Sequence, residues 1–242
     1  TAYCPLGRET SLTTITFQED GWPHLDEDTA ANLIPSRSRT FVFYDDFNGE
    51  RLRPEWNFLR RYFLKTRNEC FRDSHLIIEG GESPASIHQH FLGIAIPEYR
   101  WEASTKITFH PDDYQQMAGL VVRYNETNQY ELAVSKNELG EPVLIVVSCI
   151  AKSYDIVAEE RITSTTINLK LCCDGKQIYY FYSYDNVRWS KISASSDFLL
   201  LSDDAIQPIG FTGAFCGVMV NDMSGKRKEA AFDYFSFSTI DD

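Results

Sequence analysis

No apolar run in this sequence approaches the roughly 20 residues a membrane-spanning helix needs, and no basic start leads into an apolar stretch of the signal-peptide kind. Neither a transmembrane helix nor a secretory leader is expected. Basic residues are scarce: 23 Lys and Arg face 35 Asp and Glu, a formal net charge of -12. That balance opposes attraction to phosphate backbones and anionic lipid, so nucleic acid and membrane surfaces are excluded as expected partners. The six cysteines (Cys4, Cys70, Cys149, Cys172, Cys173 and Cys216) show no CxxC spacing. That argues against zinc and only weakly for disulfides. They read as buried free thiols, which favours a reducing compartment and a cytoplasmic rather than secreted protein. No stretch carries a sustained 3.6-residue apolar stripe with caps, so helix content should be low. Internal repeats and low-complexity tracts are also missing.

What is present is alternation. The chain has 242 residues, 43% hydrophobic and 14% aromatic, enough for one large all-β core. The stretch RWEASTKITF puts Trp101, Ala103, Thr105, Ile107 and Phe109 on one face, and TINLKLCC does the same with Ile167, Leu169, Leu171 and Cys173. These are half-buried strands of antiparallel sheets. Asp174-Gly175 between two such runs is a strong hairpin signal, because both residues tolerate positive φ. Looser hairpins are expected at Asn125–Asn128, around KNELGEP and at Asp185-Asn186. Many short strands at near-regular spacing point to an antiparallel β-sandwich.

The beginning reads differently. CPLGRET, Cys4 to Thr10, makes a turn and delivers Arg8 and Glu9 into an alternating segment with Leu12, Ile15 and Phe17. A lone strand is not stable in water. The stretch Pro23 to Thr40 shows no strand pattern and ends in a Pro/Ser/Arg segment. It therefore reads as a linker. The expected organisation is a strand segment over 1–25 belonging to another body, a linker over 26–40, and a β-sandwich over 41–242. The chain starts with Thr, and the expectation is that an upstream part belongs with it.

CPLGRET, FYDDFNGERLRPEWNFLR, MAGLVVRYN, FTGAFCGVMVNDMSG and AAFDYFSF, in that order, resemble the C-terminal portion of family 43 glycoside hydrolases of the β-xylosidase type. The resemblance implies a concanavalin A-like β-sandwich (jelly roll) preceded by the last strand of a five-bladed catalytic β-propeller whose body is absent. Its activity would be exo-acting, inverting hydrolysis of xylo-oligosaccharides, with α-L-arabinofuranosidase as a side activity. Inversion needs a carboxylate base and a carboxylic acid about 6.5–9.5 Å apart, with room for water between them. None of the motifs that supply them falls within this chain. No catalytic residue is assigned, no cofactor is required for catalysis, and the chain alone is expected to be inactive.

The resemblance places two elements near the sugar. Arg8 matches the family's active-site arginine, and a guanidinium suits the role because it stays charged and forks onto hydroxyls or carboxylates. The residues alone would favour a surface salt bridge with Glu9 or another acid, and it is the motif in context that favours the sugar-binding role. Cys4 is expected near the same pocket as a packing thiol. A sandwich-loop aromatic closes the pocket in the family: Phe211, beside Gly210, Thr212 and Gly213, is the first choice. Phe215 is the second, with a competing reading as a core ring. Asp45, Asp46 and Asp233 form a candidate structural Ca²⁺ site if first and last strands lie side by side. Otherwise Asp45 and Asp46 serve the turn at Asn48-Gly49, and Asp233 pairs with a base. Trp56 and Trp101 read as core, and the glycosylation-like NET at Asn125 as a polar turn.

The expected partners are a catalytic propeller and a xylo-oligosaccharide. The alternative reading is an autonomous, lectin-like carbohydrate-binding module. A third is a structural or homo-oligomerising domain.

Overall fold

The computed structural model describes residues 3–7, 14–26, 40–49, 51–59, 70–206 and 210–240. Strands are numbered along the chain. One sheet has seven strands in the order β12 (Ser153–Arg161), β11 (Pro142–Ile150), β10 (Asn128–Lys136), β9 (Gln116–Asn125), β16 (Phe215–Asp222), β7 (His90–Ala95) and β4 (Asn57–Phe58). The other runs β15 (Ser190–Asp197), β14 (Gln177–Ser183), β13 (Thr166–Asp174), β8 (Arg100–Thr108), β17 (Glu229–Thr239), β6 (His75–Glu79) and β5 (Phe71–Arg72), with β3 (Val42–Asp45) also on β17. All these pairings are antiparallel, and two single-turn 3-10 helices at Phe198–Leu200 and Asp203–Ala205 are the named helical elements.

The alternation seen in the sequence is the packing rule of the core. Trp101, Ala103, Thr105, Ile107 and Phe109 are all buried, as are Ile167, Leu169, Leu171 and Cys173 one strand away. Trp101 stacks on Phe237 at 5.5 Å between ring centroids, and Trp56 meets Phe43 edge-on at 5.2 Å, so both tryptophans are core. The four expected hairpins join β9 to β10, β10 to β11, β13 to β14 and β14 to β15. Gly175 and Asn186 take the positive φ their turns require. All six cysteines are free, four of them buried.

Two features depart from simple alternation. In β9 and β10 both faces are buried. Leu120, Val122, Leu132 and Val134 face the opposite sheet. Met117, Val121 and Ala133 form a second cluster on the outer face, with Val143, Ile145 and Met219. The second departure concerns the chain's start. Pro23–Asp26, expected to lack strand structure, is strand β2, paired antiparallel with β1 (Thr14–Phe17). A tight reversal makes the pairing: the Gly21 N–H donates to the Gln18 carbonyl at 2.9 Å, with Gly21 at φ +79°. Pro23, at the first position of an edge strand, withholds a donor the ladder does not need. The hairpin leaves Phe17 73% and Trp22 71% exposed.

Candidate functional site

The two segments singled out by sequence, CPLG and GFTGA, touch. The Ala214 N–H donates to the Pro5 carbonyl at 2.7 Å, and the Ala214 carbonyl accepts from the Ile96 N–H at 3.0 Å. The loop thus bridges the amino-terminal segment and the strand β7 side of the sandwich. Gly7 and Gly213 meet backbone to backbone, both with positive φ (+81° and +74°). A Cβ on Gly213 would lie 2.5 Å from the Leu6 carbonyl oxygen, and one on Gly7 would lie 2.7 Å from the Gly213 nitrogen. Only hydrogen fits between the two backbone segments. Leu6 packs on the main core, and Cys4 is half-buried with its thiol 3.7 Å from the Gly7 carbonyl.

Phe211 stands on this loop with 57% of its surface exposed. Phe215, four residues on, opens β16 and packs half-buried against the outer-face cluster that includes Phe91 and Met219. The two phenylalanines therefore occupy different surroundings. Arg8 directly follows Gly7 in sequence and lies outside the described residues.

A residue the sequence reading passed over braces the loop. Tyr124, at the end of β9, is buried, and its hydroxyl donates to the Asp203 carboxylate. Burial first, and that hydrogen bond second, push the phenol up to about 12, so it remains a donor. Gly210 lies so close that a Cβ there would fall 1.8 Å from the Tyr124 oxygen.

The three acids considered for calcium do separate work. Both Asp45 oxygens face inward, Oδ1 accepting from the Phe47 N–H at 3.0 Å and Oδ2 from the Trp56 indole at 2.8 Å. Asp46 is exposed and accepts from the Asn48 N–H at 3.1 Å. Hydrogen bonds from Asn48 hold its carboxyl below the usual range. Asp233 lies two residues from Asp45's cross-strand partner Phe235 and pairs with Lys106 at 3.0 Å. The carboxylates do not converge on one point, and among the described residues no three His, Cys, Asp or Glu side chains gather where one metal ion could be held.

Comparison with known proteins gives this arrangement a context. The family described as "Beta xylosidase C-terminal Concanavalin A-like domain" matches residues 44–238. A β-xylosidase of Bacillus subtilis is 31% identical over 97% of this chain and 47% of its own length. A xylosidase/arabinosidase 43B of Humicola insolens is 27% identical over 98% of this chain and 47% of its own. The crystal structure of a xylan β-1,4-xylosidase from Bacillus halodurans superposes with a TM-score of 0.82 at 26% identity, covering 97% of this chain and 48% of that one. The chain thus spans about half the length of the curated relatives it matches.

Proposed function

The chain belongs to the family of β-xylosidase C-terminal concanavalin A-like domains, and from that premise we propose that it is the accessory sandwich of an exo-acting, inverting β-xylosidase. In this role it shapes a pocket whose catalytic acids come from a propeller partner. One observation carries the reading: the segment leading into Arg8 is locked to the loop that presents the exposed Phe211. An apolar ring at a pocket mouth excludes water and stacks on a sugar face, while a neighbouring guanidinium forks onto its hydroxyls. The exposed Phe17 and Trp22 of the β1–β2 hairpin supply apolar surface for the same partner. In this reading the substrate is a short xylo-oligosaccharide, and the isolated chain does not turn it over.

The test is Phe211→Ala in a protein where this chain follows its catalytic part. The expected result is about a tenfold loss in kcat/KM on xylobiose, equivalent to about 1.4 kcal/mol of transition-state binding. The loss should fall mainly on KM, with folding intact. Unchanged kinetics would favour a purely structural or oligomerising domain.

A second reading, an autonomous carbohydrate-binding module, draws on the outer face of the eight-stranded sheet. Cross-strand partners there line up Lys191, Phe181, Lys170, Ser104, Ser236 and Tyr44 across six strands. A row of rings, ammonium groups and hydroxyls is a surface on which a glycan chain can lie. Isothermal titration of the chain with xylohexaose decides it: saturable binding lost in Phe181→Ala supports this reading, and no heat of binding removes it.

A further inference from the structure

We propose that Tyr124 and Asp203 form a strut that holds the Phe211 loop in its working position, making Tyr124 a positioning residue for sugar binding. The proposal deepens the pocket-shaping reading and rests on it. The strut begins in the core. Asp203 lies on a 3-10 turn whose N-cap Ser202 is fully buried and whose flanks, Leu201 and Ile206, belong to the main cluster. The Ser202 hydroxyl oxygen accepts from the Ala205 N–H at 3.3 Å and fixes the turn. From this anchor the Asp203 carboxylate takes the Tyr124 hydroxyl, and the phenol stops the loop at Gly210, immediately before Phe211. Gly210 rests against the ring and its oxygen. On the other side of Phe211 the Thr212 hydroxyl donates to the Gly213 carbonyl at 3.4 Å. Beyond Thr212 the loop is pinned by the Gly213–Gly7 contact and by the Ala214 N–H on Pro5.

Gly210, Gly213 and Ala214 are therefore held by contacts of their own, and the Phe211 ring keeps most of its surface exposed. A buried tyrosine that merely filled the core would need no carboxylate partner and would not abut the one glycine that precedes the exposed ring. A phenol–carboxylate hydrogen bond is the stronger, charge-assisted kind, suited to fixing a loop in one place.

The experiment is a double-variant cycle in the protein carrying this chain behind its catalytic part. Tyr124→Phe should raise KM for xylobiose several-fold with kcat within twofold. In a Phe211→Ala background it should add nothing, because the strut acts only through that ring. Asp203→Asn, which keeps an acceptor oxygen for the Tyr124 hydroxyl, should retain most of the binding. Additive losses from Tyr124→Phe and Phe211→Ala would overturn the strut.

A readout on the chain alone separates this proposal from the reading beneath it. Amide exchange at Ala214 should quicken at least tenfold in Tyr124→Phe while the core strands keep their protection. If Phe211→Ala is silent in kinetics, pocket shaping fails and the strut is judged by that exchange. Unchanged exchange at Ala214 overturns it. Should Tyr124→Phe fail to fold, Asp203→Ala removes the acceptor with the ring in place, and the same outcomes apply.

Discussion

Gly213→Val should detach the amino-terminal segment from the sandwich and cost about 3 kcal/mol or more of its docking. Three physical effects add at this position. A β-branched residue is forced to φ +74°, which strains the backbone by about 1–3 kcal/mol. Its Cβ would meet the Leu6 carbonyl oxygen at 2.5 Å and the Gly7 nitrogen at 2.8 Å, both backbone atoms that cannot swing aside as a side chain would. Separating the two strands of chain then strips the buried Ala214 N–H of its Pro5 acceptor, worth about 1–3 kcal/mol when left unsatisfied. Limited proteolysis reads the result directly: the variant should be cut near Cys4–Gly7 under conditions that leave the unsubstituted chain whole. The sandwich itself, with its core in β8, β13 and β17, should melt nearly as before. In the complete protein kcat/KM should fall at least tenfold, because Arg8 follows the displaced glycine. Equal protease resistance in the two proteins would show that the Gly7–Gly213 contact does not hold the segment.

Gly7 and Gly213 also mark how far sequence alone could carry the argument. The sandwich was legible because most strands bury only one face: the alternation from Trp101 to Phe109 and from Ile167 to Cys173 has a single inward reading, and the hairpin at Asp174-Gly175 fixes the register of the second segment against β14. Strand β2 was not legible, since Pro23 and Asp26 are poor strand residues and only its pairing with Thr14–Phe17 makes it one. The choice of Phe211 over Phe215 came from flanking glycines, and the structure gives those glycines reasons: one abuts Tyr124 and the other meets Gly7. Tyr124 left no such trace. In the sequence it ends an ordinary strand, VVRYN, and its acceptor Asp203 lies 79 residues away. The double burial of β9 and β10 was equally hidden, because period two says which side chains share a face but not what covers the second face.

That covered outer face holds the last consequence. Glu131 is completely buried at the centre of β10, between Val121 and Val147 on its neighbours, and neither carboxyl oxygen has a hydrogen-bond partner. Burial raises its pKa to about 8, with Arg123 opposing the rise, while Tyr154 and Cys149 sense its charge nearby. The acid is therefore protonated in the native state at neutral pH and ionised in the unfolded chain. Between its ordinary pKa near 4.5 and about 8 the native state binds the extra proton, so this group's contribution to stability falls as pH rises across that window. Below about 4.5 the contribution is fully present, and above about 8 the loss is complete, on the order of 5 kcal/mol. Glu131→Gln removes the titration. Its melting temperature should stay nearly level relative to the unsubstituted chain at pH 5 and exceed it by several degrees at pH 8.5. Glu131→Met, apolar and similar in length, checks the result if the buried amide does not settle. The measurement is the difference between variant and parent in thermal melts from pH 5 to 9, which cancels the other carboxylates. A difference that does not grow with pH would mean that Glu131 is solvated or paired in solution, and that the outer face of the seven-stranded sheet opens to water.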